Sequence, residues 1–407
     1  MGMNETPKGE RIHIGIFGKR NAGKSSIINA ITNQELAIVS NVLGTTTDPV
    51  QKSMELLPIG PVVLIDTPGI DDEGELGEKR ISKTYQVLAK TDLALLVMDA
   101  AAGKTAEDAM MEEKIKERNI PYLCVYNKCD LITESVESVT SVIPVDNPTV
   151  SSGTDLYVSS TSRAGIQKLK ACLGSLYLSM SQKEIPIVSD LVSSGDFVIL
   201  VVPIDKAAPK GRLILPQQQT IRELLETGAI SIVVRESELA ETLKKLGQKP
   251  KLVITDSQAF ELVSQIVTDD ILLTSFSILM ARHKGNFKQA LSGVYALDQI
   301  SDDSVILISE GCSHHRQCGD IGTEKLPRWI ENFTGKKPTY EWTSGTAFPT
   351  DLSKYDLIIH CGSCMLNNRE MDYRYSSAAL AGVPMTNYGL AIAYMNHILA
   401  RSIEILQ

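Results

Sequence analysis

The sequence predicts an α/β protein built from three domains. The chain has 407 residues, a length typical of two to three domains, each large enough to bury its own core. Its 43% hydrophobic and 22% charged residues are ordinary for an α/β protein. Continuous apolar runs alternate with helical stretches, which is typical of strands buried on both faces of a mostly parallel sheet. We expect the domains at residues 1–180, 181–268 and 269–407.

Strands and helices alternate within each predicted domain. From Arg11 to about Cys172 the strand candidates are the apolar runs RIHIGIFG, PVVLIDTPG, LALLVMDA, PYLCVYNKCD and DLYVSS. The second domain is predicted to contain the strand DFVILVVPID, the helix PQQQTIRELLETG and strands around ISIVVRE and KLVITDS. The third begins with ILLTSFSILMARHKG and continues with the strand SVILISEG, the helix EKLPRWIENFTG, the strand YDLIIHCG and the helix RYSSAALAG.

Charge and hydropathy argue against several classes of protein. A net charge of −9 disfavours a general nucleic-acid binder, because neutralising phosphates requires concentrated Lys and Arg. No uninterrupted apolar stretch reaches the ~18–20 residues that span a bilayer, and the polar start MGMNETPKGERIHIG is not a signal peptide. We therefore expect a cytoplasmic protein without membrane contacts. Its seven cysteines should then be core residues, metal ligands or reactive thiols rather than disulfides.

A phosphate-binding loop is predicted at residues 18–25. The segment GKRNAGKS fits the pattern G-x-x-x-x-G-K-[ST] between a strand and the helix SSIINAITN, where backbone N–H groups can surround phosphates at a helix N-terminus. Lys24 is expected to reach the β- and γ-phosphates, and Ser25 to bind Mg²⁺. The other residues expected to contact the nucleotide here are Gly18, Asn21, Ala22, Gly23 and Ser26.

Two further motifs select the nucleotide. Asp66 and Gly69 of DTPG follow the next strand, which places Asp66 to hold Mg²⁺ through water and the Gly69 N–H to bind the γ-phosphate. Asn127, Lys128 and Asp130 of NKCD end a later strand, and a carboxylate there can accept both N1–H and N2–H₂ of guanine. Because the three motifs occur in order, each at the end of a strand, we expect GTP binding.

The first domain resembles the TrmE–Era class of P-loop GTPases, through these motifs and the segment Gly44-Thr45-Thr46-Thr47-Asp48. The resemblance implies that Thr46 binds Mg²⁺. Together with Lys24 and Gly69, Thr46 is then expected to act on the γ-phosphate during hydrolysis. It also implies that Ser159 and Ser160 belong to the loop that lies behind the guanine base, and that Asn21 helps to coordinate K⁺. Ile70 stands where many GTPases place the glutamine that orients water, so intrinsic hydrolysis should be slow. A potassium ion at Asn21 would supply transition-state charge and stimulate hydrolysis, whereas the alternative is that Asn21 only caps a turn.

A second chemistry is concentrated in the last hundred residues. Cys312 follows the strand SVILISEG and Cys361 follows YDLIIH, so parallel strands would bring both to one sheet edge, with Cys364 close by in C-x-x-C. Three interpretations compete: a structural zinc with Cys₃His ligands, a [4Fe–4S] cluster on three thiolates, and cysteines without metal. The possible fourth ligands are His314, His315, His360 and Cys318.

The combination of both sites resembles the HydF family, the GTPases that mature [FeFe]-hydrogenase, through C-x-H followed by H-C-x-x-C. The resemblance implies a GTPase domain, a dimerisation domain and an iron–sulfur domain, with a [4Fe–4S] cluster on Cys312, Cys361 and Cys364. His314 and His360 match the motif histidines, whereas Cys318 lies outside the motif. The protein would receive a diiron subcluster precursor and transfer it to apo-[FeFe]-hydrogenase, with radical-SAM maturases as upstream partners.

The second domain is expected to form a homodimer. Its strands DFVILVVPID and ISIVVRE carry more apolar surface than a lone small sheet needs, and a second copy would bury it. A neighbouring domain could cover the same surface instead.

Two other functions compete with the HydF-like one. The strongest alternative is a potassium-stimulated GTPase of ribosome assembly or tRNA modification with a structural zinc site, although no basic stripe is visible. A metallochaperone under GTP control is a third possibility, for which six histidines are few. An iron–sulfur protein purified without oxygen would be brown, whereas zinc proteins are colourless.

Overall fold

Strands and helices alternate through most of the chain. The computed structural model describes residues 6–32, 49–69, 75–132, 152–180, 185–204, 213–312 and 320–407. It divides into two compact units, Met1–Lys183 and Glu184–Gln407.

The first unit contains a six-stranded sheet in the order β2-β3-β1-β4-β5-β6, in which only the β2–β3 pair is antiparallel. The strands are β1 (Ile12–Phe17), β2 (Val50–Leu56), β3 (Gly60–Asp66), β4 (Leu93–Asp99), β5 (Tyr122–Asn127) and β6 (Thr154–Tyr157). The helices are α1 (Lys24–Thr32), α2 (Glu75–Ala89), α3 (Ala106–Glu117) and α4 (Ile166–Ser179). The central strand β4 is buried throughout except at its last residue, which explains its unbroken apolar run.

The second unit begins with a four-stranded, fully parallel sheet in the order β10-β9-β7-β8. Its strands are β7 (Phe197–Val201), β8 (Ile230–Val234), β9 (Leu252–Thr255) and β10 (Leu272–Ser275). Its helices are α5 (Leu215–Thr227), α6 (Leu239–Lys245), α7 (Phe260–Ile266) and α8 (Phe276–His283). The boundary predicted after residue 268 precedes β10, which pairs with β9 and so belongs to this sheet.

A second parallel sheet completes this unit in the order β12-β11-β13-β14. Its strands are β11 (Val305–Glu310), β12 (Thr339–Ser344), β13 (Leu357–His360) and β14 (Met385–Asn387). The helices are α9 (Phe287–Gly293), α10 (Leu326–Thr334), α11 (Asn368–Leu380), α12 (Tyr388–Met395) and α13 (Leu399–Ile403). One hydrophobic core joins the two sheets, since Ile199 and Leu273 of the first share it with Ile308 and Ile359 of the second.

The predicted α/β class is confirmed, and each apolar run predicted as a strand forms one. Among the described residues, the strands β2, β12 and β14 were not predicted, and β10 lies in the run ILLTSFSILMARHKG, which was assigned as neither strand nor helix. β2 and β12 lie at sheet edges and are largely polar, and β14 has three residues. None of the helices in the described ranges combines the length and apolarity that a membrane span requires.

Candidate functional site

The phosphate loop leaves the carboxyl end of β1 and enters α1 at Lys24. Two of its glycines have positive φ angles, +141° at Gly18 and +94° at Gly23. A Cβ atom would lie 2.1 Å from the Val97 carbonyl oxygen at Gly18, and 2.1 Å from Nδ2 of Asn127 at Gly23. Both positions therefore require glycine for conformation and for space. Ala22 is buried between them, and Ser26 lies in the first turn of α1.

Lys24 is held across its own loop. Its Nζ donates to the carbonyl oxygens of Gly18 at 2.9 Å and Lys19 at 2.8 Å, and the residue is buried. The ammonium group is thus held by the carbonyl oxygens of the loop that is predicted to bind phosphate.

Two of the three residues predicted to hold magnesium, Ser25 and Asp66, meet at the start of α1. The Ser25 hydroxyl donates to Oδ2 of Asp66 at 2.5 Å, while Oδ1 of Asp66 is buried with no hydrogen-bond partner in the described part of the chain. Burial raises the pKa of Asp66, and the Ser25 hydroxyl and the Lys24 charge oppose that shift. A hydroxyl and an unpartnered carboxylate oxygen form a hard-oxygen donor set, which fits Mg²⁺.

Asn127 connects the base-binding loop to the phosphate loop. Its Nδ2 donates to the Ala22 carbonyl at 3.1 Å, and its Oδ1 accepts the Ser160 N–H at 3.0 Å. The side chain is fully buried, so these two bonds satisfy an amide that has no access to water. Ser159 is also buried, and its hydroxyl accepts the Ser162 N–H at 3.0 Å.

The remaining base residues follow directly. Lys128 has a left-handed backbone, with φ of 64°, and its Nζ pairs with Asp99 at 2.7 Å. The next turn, Cys129–Leu131, exposes Asp130, the residue predicted to recognise guanine. In the phosphate loop, Asn21 is exposed with φ of 61°. Gly69 is described three residues beyond β3, while Thr46 falls outside the described residues, as does Ile70.

The cysteine site is built at the carboxyl edge of the last sheet. β11 and β13 are parallel neighbours in which Ser309 pairs with His360, and the chain continues to Cys312 and Cys361 respectively. The Gly311 N–H donates to Sγ of Cys361 at 3.1 Å. The two cysteine-bearing segments therefore lie side by side, as parallel strands require.

Two backbone N–H groups surround the Cys361 sulfur. In addition to Gly311, the Ser363 N–H approaches Sγ at 3.4 Å, and Ser363 takes a left-handed conformation with φ of 58°. Burial raises the pKa of the Cys361 thiol, and both N–H donors oppose that shift. Cys312 and Cys364 are half-buried. N–H···S bonds of this kind accompany thiolate ligands of iron–sulfur clusters.

His360 is fully buried behind this loop. Its Nδ1 lies 2.9 Å from the Ser363 hydroxyl and 3.0 Å from the Cys361 carbonyl, and its Nε2 lies 2.9 Å from Nη1 of Arg374. Burial, followed by the Arg374 charge, lowers the pKa of His360 to about 3. The imidazole is therefore neutral, and both ring nitrogens are hydrogen-bonded.

No group of three or more His, Cys, Asp or Glu side chains in metal-binding geometry occurs within the described ranges. Residues 313–319, with His314, His315 and Cys318, lie outside those ranges, so their predicted roles stay predictions. A small cleft opens beside Cys361. It is lined by Met280, Ala281, Lys284, Asn286, Cys361, Gly362, Ser363, Met371, Tyr375 and Asn387.

Sequence reasoning did not identify Arg374, Ser363 or Gly311 as part of this site. The only signal for Arg374 was its spacing from Glu370, four residues earlier on one helix, which by itself indicates an ordinary exposed ion pair. Ser363 and Gly311 carried no signal beyond their position next to cysteines.

Family models match three separate parts of this chain. Residues 13–128 match the family model described as 50S ribosome-binding GTPase. The tRNA modification GTPase MnmE of Nitrosomonas europaea is 36% identical over 165 residues, which cover 40% of this chain and 34% of that protein. GTPase Der of Pseudothermotoga lettingae is 26% identical over 239 residues, 55% of each chain. The chain thus spans about a third of the length of the MnmE relative.

Among solved structures, Era of Aquifex aeolicus bound to GDP and aluminium fluoride has 19% identity and a TM-score of 0.34. The likeness covers 58% of this chain and 98% of that one.

The second unit matches two models of a single family. Residues 187–285 match the hydrogen maturase F dimerization domain, and residues 288–405 match the hydrogen maturase F tetramerization domain. Both follow the GTPase domain, and together they account for more than half of the chain. With a GTPase domain followed by these two domains, the chain belongs to the hydrogen maturase F family.

Proposed function

We propose that the protein is a GTP-hydrolysing iron–sulfur scaffold that receives a diiron subcluster precursor and transfers it to apo-[FeFe]-hydrogenase. One observation carries the proposal: the Cys361 sulfur, with two N–H donors, lies beside the segment that leads to Cys312, in a domain of this family. Cys312, Cys361 and Cys364 would hold a [4Fe–4S] cluster, which supplies an iron site to which the precursor attaches. Radical-SAM maturases would be the upstream partners.

The GTPase domain is proposed to act as a switch. Lys24 is held by two carbonyl oxygens, which it would exchange for phosphate oxygens. Oδ1 of Asp66, which has no hydrogen-bond partner among the described residues, would hold through water the Mg²⁺ that Ser25 binds. GTP changes partner affinity only if it stabilises one conformation over another. We therefore expect the affinity for a maturase or for apo-hydrogenase to differ between the GTP-analogue and GDP states.

Slow, potassium-stimulated hydrolysis is part of the proposal. Asn21 is exposed at the phosphate loop, where its side chain has access to a monovalent cation. Hydrolysis rates in potassium chloride should exceed those in sodium chloride for the wild type. Asn21→Ala should remove the difference, and an equal rate in both salts would exclude the potassium role.

The cluster is tested by anaerobic reconstitution with iron and sulfide, followed by EPR spectra of the reduced protein. Wild type should show a [4Fe–4S] signal that Cys361→Ala loses. The matched control is Cys172→Ala, the same change at a buried cysteine of the first unit, which should keep the signal. A colourless protein that retains one tightly bound zinc would instead support the alternative, a GTPase of ribosome assembly or tRNA modification.

A further inference from the structure

A buried polar network lies behind the Cys361 loop, centred on Arg374 of α11. Arg374 is fully buried, and its guanidinium group reaches the carboxyl ends of three adjacent strands. Nη1 donates to the Ser309 hydroxyl at 3.2 Å and to Nε2 of His360 at 2.9 Å. Nη2 donates to the Gly345 carbonyl at 2.8 Å. Ser309 and His360 lie at the carboxyl ends of β11 and β13, and Gly345 directly follows β12.

The charge of Arg374 is balanced inside the same helix. Nη2 also donates to Oε1 of Glu370 at 2.6 Å, and both side chains are almost completely shielded from solvent. The guanidinium group lies 5.0 Å from the centre of the Phe348 ring. A buried ion pair contributes little net stability by itself, because desolvating both charges offsets their attraction. A positioning role therefore explains this pair better than a stabilising one.

Arg374 determines which nitrogen of His360 carries the proton. A guanidinium group can only donate hydrogen bonds, so Nε2 of His360 must accept, and the ring proton must be on Nδ1. Nδ1–H then donates to the Ser363 hydroxyl or to the Cys361 carbonyl. The Ser363 hydroxyl in turn donates to the Cys361 carbonyl at 3.1 Å. These bonds hold the left-handed turn at Ser363, which directs its N–H at the Cys361 sulfur.

We propose that Arg374 is a positioning residue of the cluster site: through His360 and Ser363 it holds the Ser363 N–H on the Cys361 sulfur, and His360 does not bind iron. The inference about the cluster rests on the proposed function, whereas the inference about the His360 tautomer does not. N–H donors stabilise the extra negative charge that a reduced cluster places on its sulfur ligands. The network should therefore raise the reduction potential of the cluster.

The first experiment uses the full-length protein without a cluster. ¹⁵N NMR spectra of histidine-labelled wild type should show His360 protonated at Nδ1, with the resonance assigned by its absence in His360→Gln. Arg374→Lys should shift the tautomer ratio about threefold to tenfold toward Nε2–H, the effect of losing one buried hydrogen bond. Wild-type His360 protonated at Nε2 would overturn the proposal, whether or not the protein binds a cluster.

The second experiment measures the midpoint potential of the reconstituted protein. Arg374→Lys and Ser363→Ala should both lower the potential, and Ser363→Ala should leave the His360 tautomer unchanged because it keeps the Arg374 bond. The control is Arg222→Lys, the same substitution in an exposed i,i+4 pair with Glu226, which should leave the potential unchanged. If Arg374→Lys and Ser363→Ala both keep the wild-type midpoint potential, the positioning role is overturned.

The outcomes separate this inference from the proposed function. A wild type that takes up no cluster contradicts the scaffold, while the tautomer measurement still decides what Arg374 does to His360. If Arg374→Lys does not fold, the midpoint potential of Ser363→Ala still tests whether the network acts on the Cys361 sulfur, because this substitution is the milder of the two. A histidine nitrogen coupled to the cluster in pulsed EPR of the wild type, absent in His360→Gln, would show that His360 binds iron and overturn the proposal.

Discussion

Gly23 is a residue where the absence of a side chain keeps two loops in contact. A Cβ atom there would lie 2.1 Å from the Asn127 amide, which bonds both the Ala22 carbonyl and the Ser160 N–H. A methyl group at Gly23 would displace this amide, and Asn127 would lose at least one of its bonds. The base-binding loop and the phosphate loop would then no longer be held by a shared side chain.

Gly23→Ala should therefore weaken GTP binding by at least about tenfold, the effect of losing a buried hydrogen bond together with the loop geometry. The measurement is a titration with a fluorescent GTP analogue. Gly103→Ala is the matched control, because Gly103 also has a positive φ, +70°, but no atom within 4 Å of an added Cβ. That variant should lose roughly 1 kcal/mol of stability and keep wild-type affinity. Equal affinities in both variants would contradict the steric argument.

Helix α5 binds residues 187–189, near the start of the second unit, through one side chain. The Glu223 carboxylate of this helix accepts three N–H groups, from Ile187, Val188 and Ser189, at 2.7–3.1 Å. Burial raises the pKa of Glu223, but these donors outweigh it and hold the pKa below its ordinary value of 4.5. Because folding lowers this pKa, the stabilisation is complete above pH 4.5 and is lost as the pH falls through the folded-state pKa.

Glu223→Gln should destabilise the second unit by about 1 kcal/mol at neutral pH, since an amide oxygen accepts these bonds more weakly than a carboxylate. The difference from wild type should shrink as the pH is lowered below 4.5. Urea unfolding at several pH values measures both effects. Glu226→Gln, on the same helix in an exposed pair with Arg222, should change stability little at any pH. A pH-independent difference would exclude the carboxylate as its cause.

Strand β8 leaves one edge of its sheet without a neighbour among the described residues. Its side chains Ile230 and Val233 are 44% and 45% exposed, and Leu225 of the adjacent helix is 62% exposed. The other strand of the predicted dimer surface, β7, is almost entirely buried within the unit. The apolar surface expected from the sequence is therefore located at β8 and α5, where a second copy would cover it.

Val233→Lys should convert the proposed homodimer into monomers, because a lysine on an edge strand opposes pairing with another chain. Light scattering after size-exclusion chromatography gives the mass directly. Leu262→Lys is the control, since Leu262 is equally exposed, at 45%, but lies on α7, which follows β9 rather than β8. Unchanged dimers in Val233→Lys, or monomers in both variants, would argue against β8 as the interface.

At the scale of the whole molecule, each unit has its own hydrophobic core. The buried clusters of the first unit contain residues such as Leu64 and Leu95, and those of the second contain Leu200 and Ile359. Each unit should therefore fold without the other.

A fragment of residues 184–407 should reconstitute the same [4Fe–4S] EPR signal as the full chain, because its core and its cysteines are all present. Spectra of the fragment and of the full-length protein at equal concentration test this. A folded fragment that holds no cluster, beside a full chain that does, would place part of the site in the first unit.

The sequence predicts more of the GTPase domain than of the cysteine site. Strands such as β4 were visible because burial on both faces demands an unbroken apolar run, and the nucleotide motifs have fixed spacing. The contact of Asn127 with Ala22 was not predicted, because it joins residues 105 positions apart. The hydrogen-bond partners of Arg374 could not be predicted either, because they depend on how α11 packs across the ends of three strands.

Both sheets of the second unit are fully parallel, which has a consequence for synthesis. Parallel neighbours are joined by crossovers rather than hairpins, so their pairing is non-local and slow to form. Strand β14 and helices α12 and α13 belong to the core that joins both sheets. This core cannot close until residues up to Ile403 have left the ribosome. Until then the loop of Cys361 lacks its folded surroundings, and insertion of the proposed cluster at this loop is expected only after residues up to Ile403 have emerged.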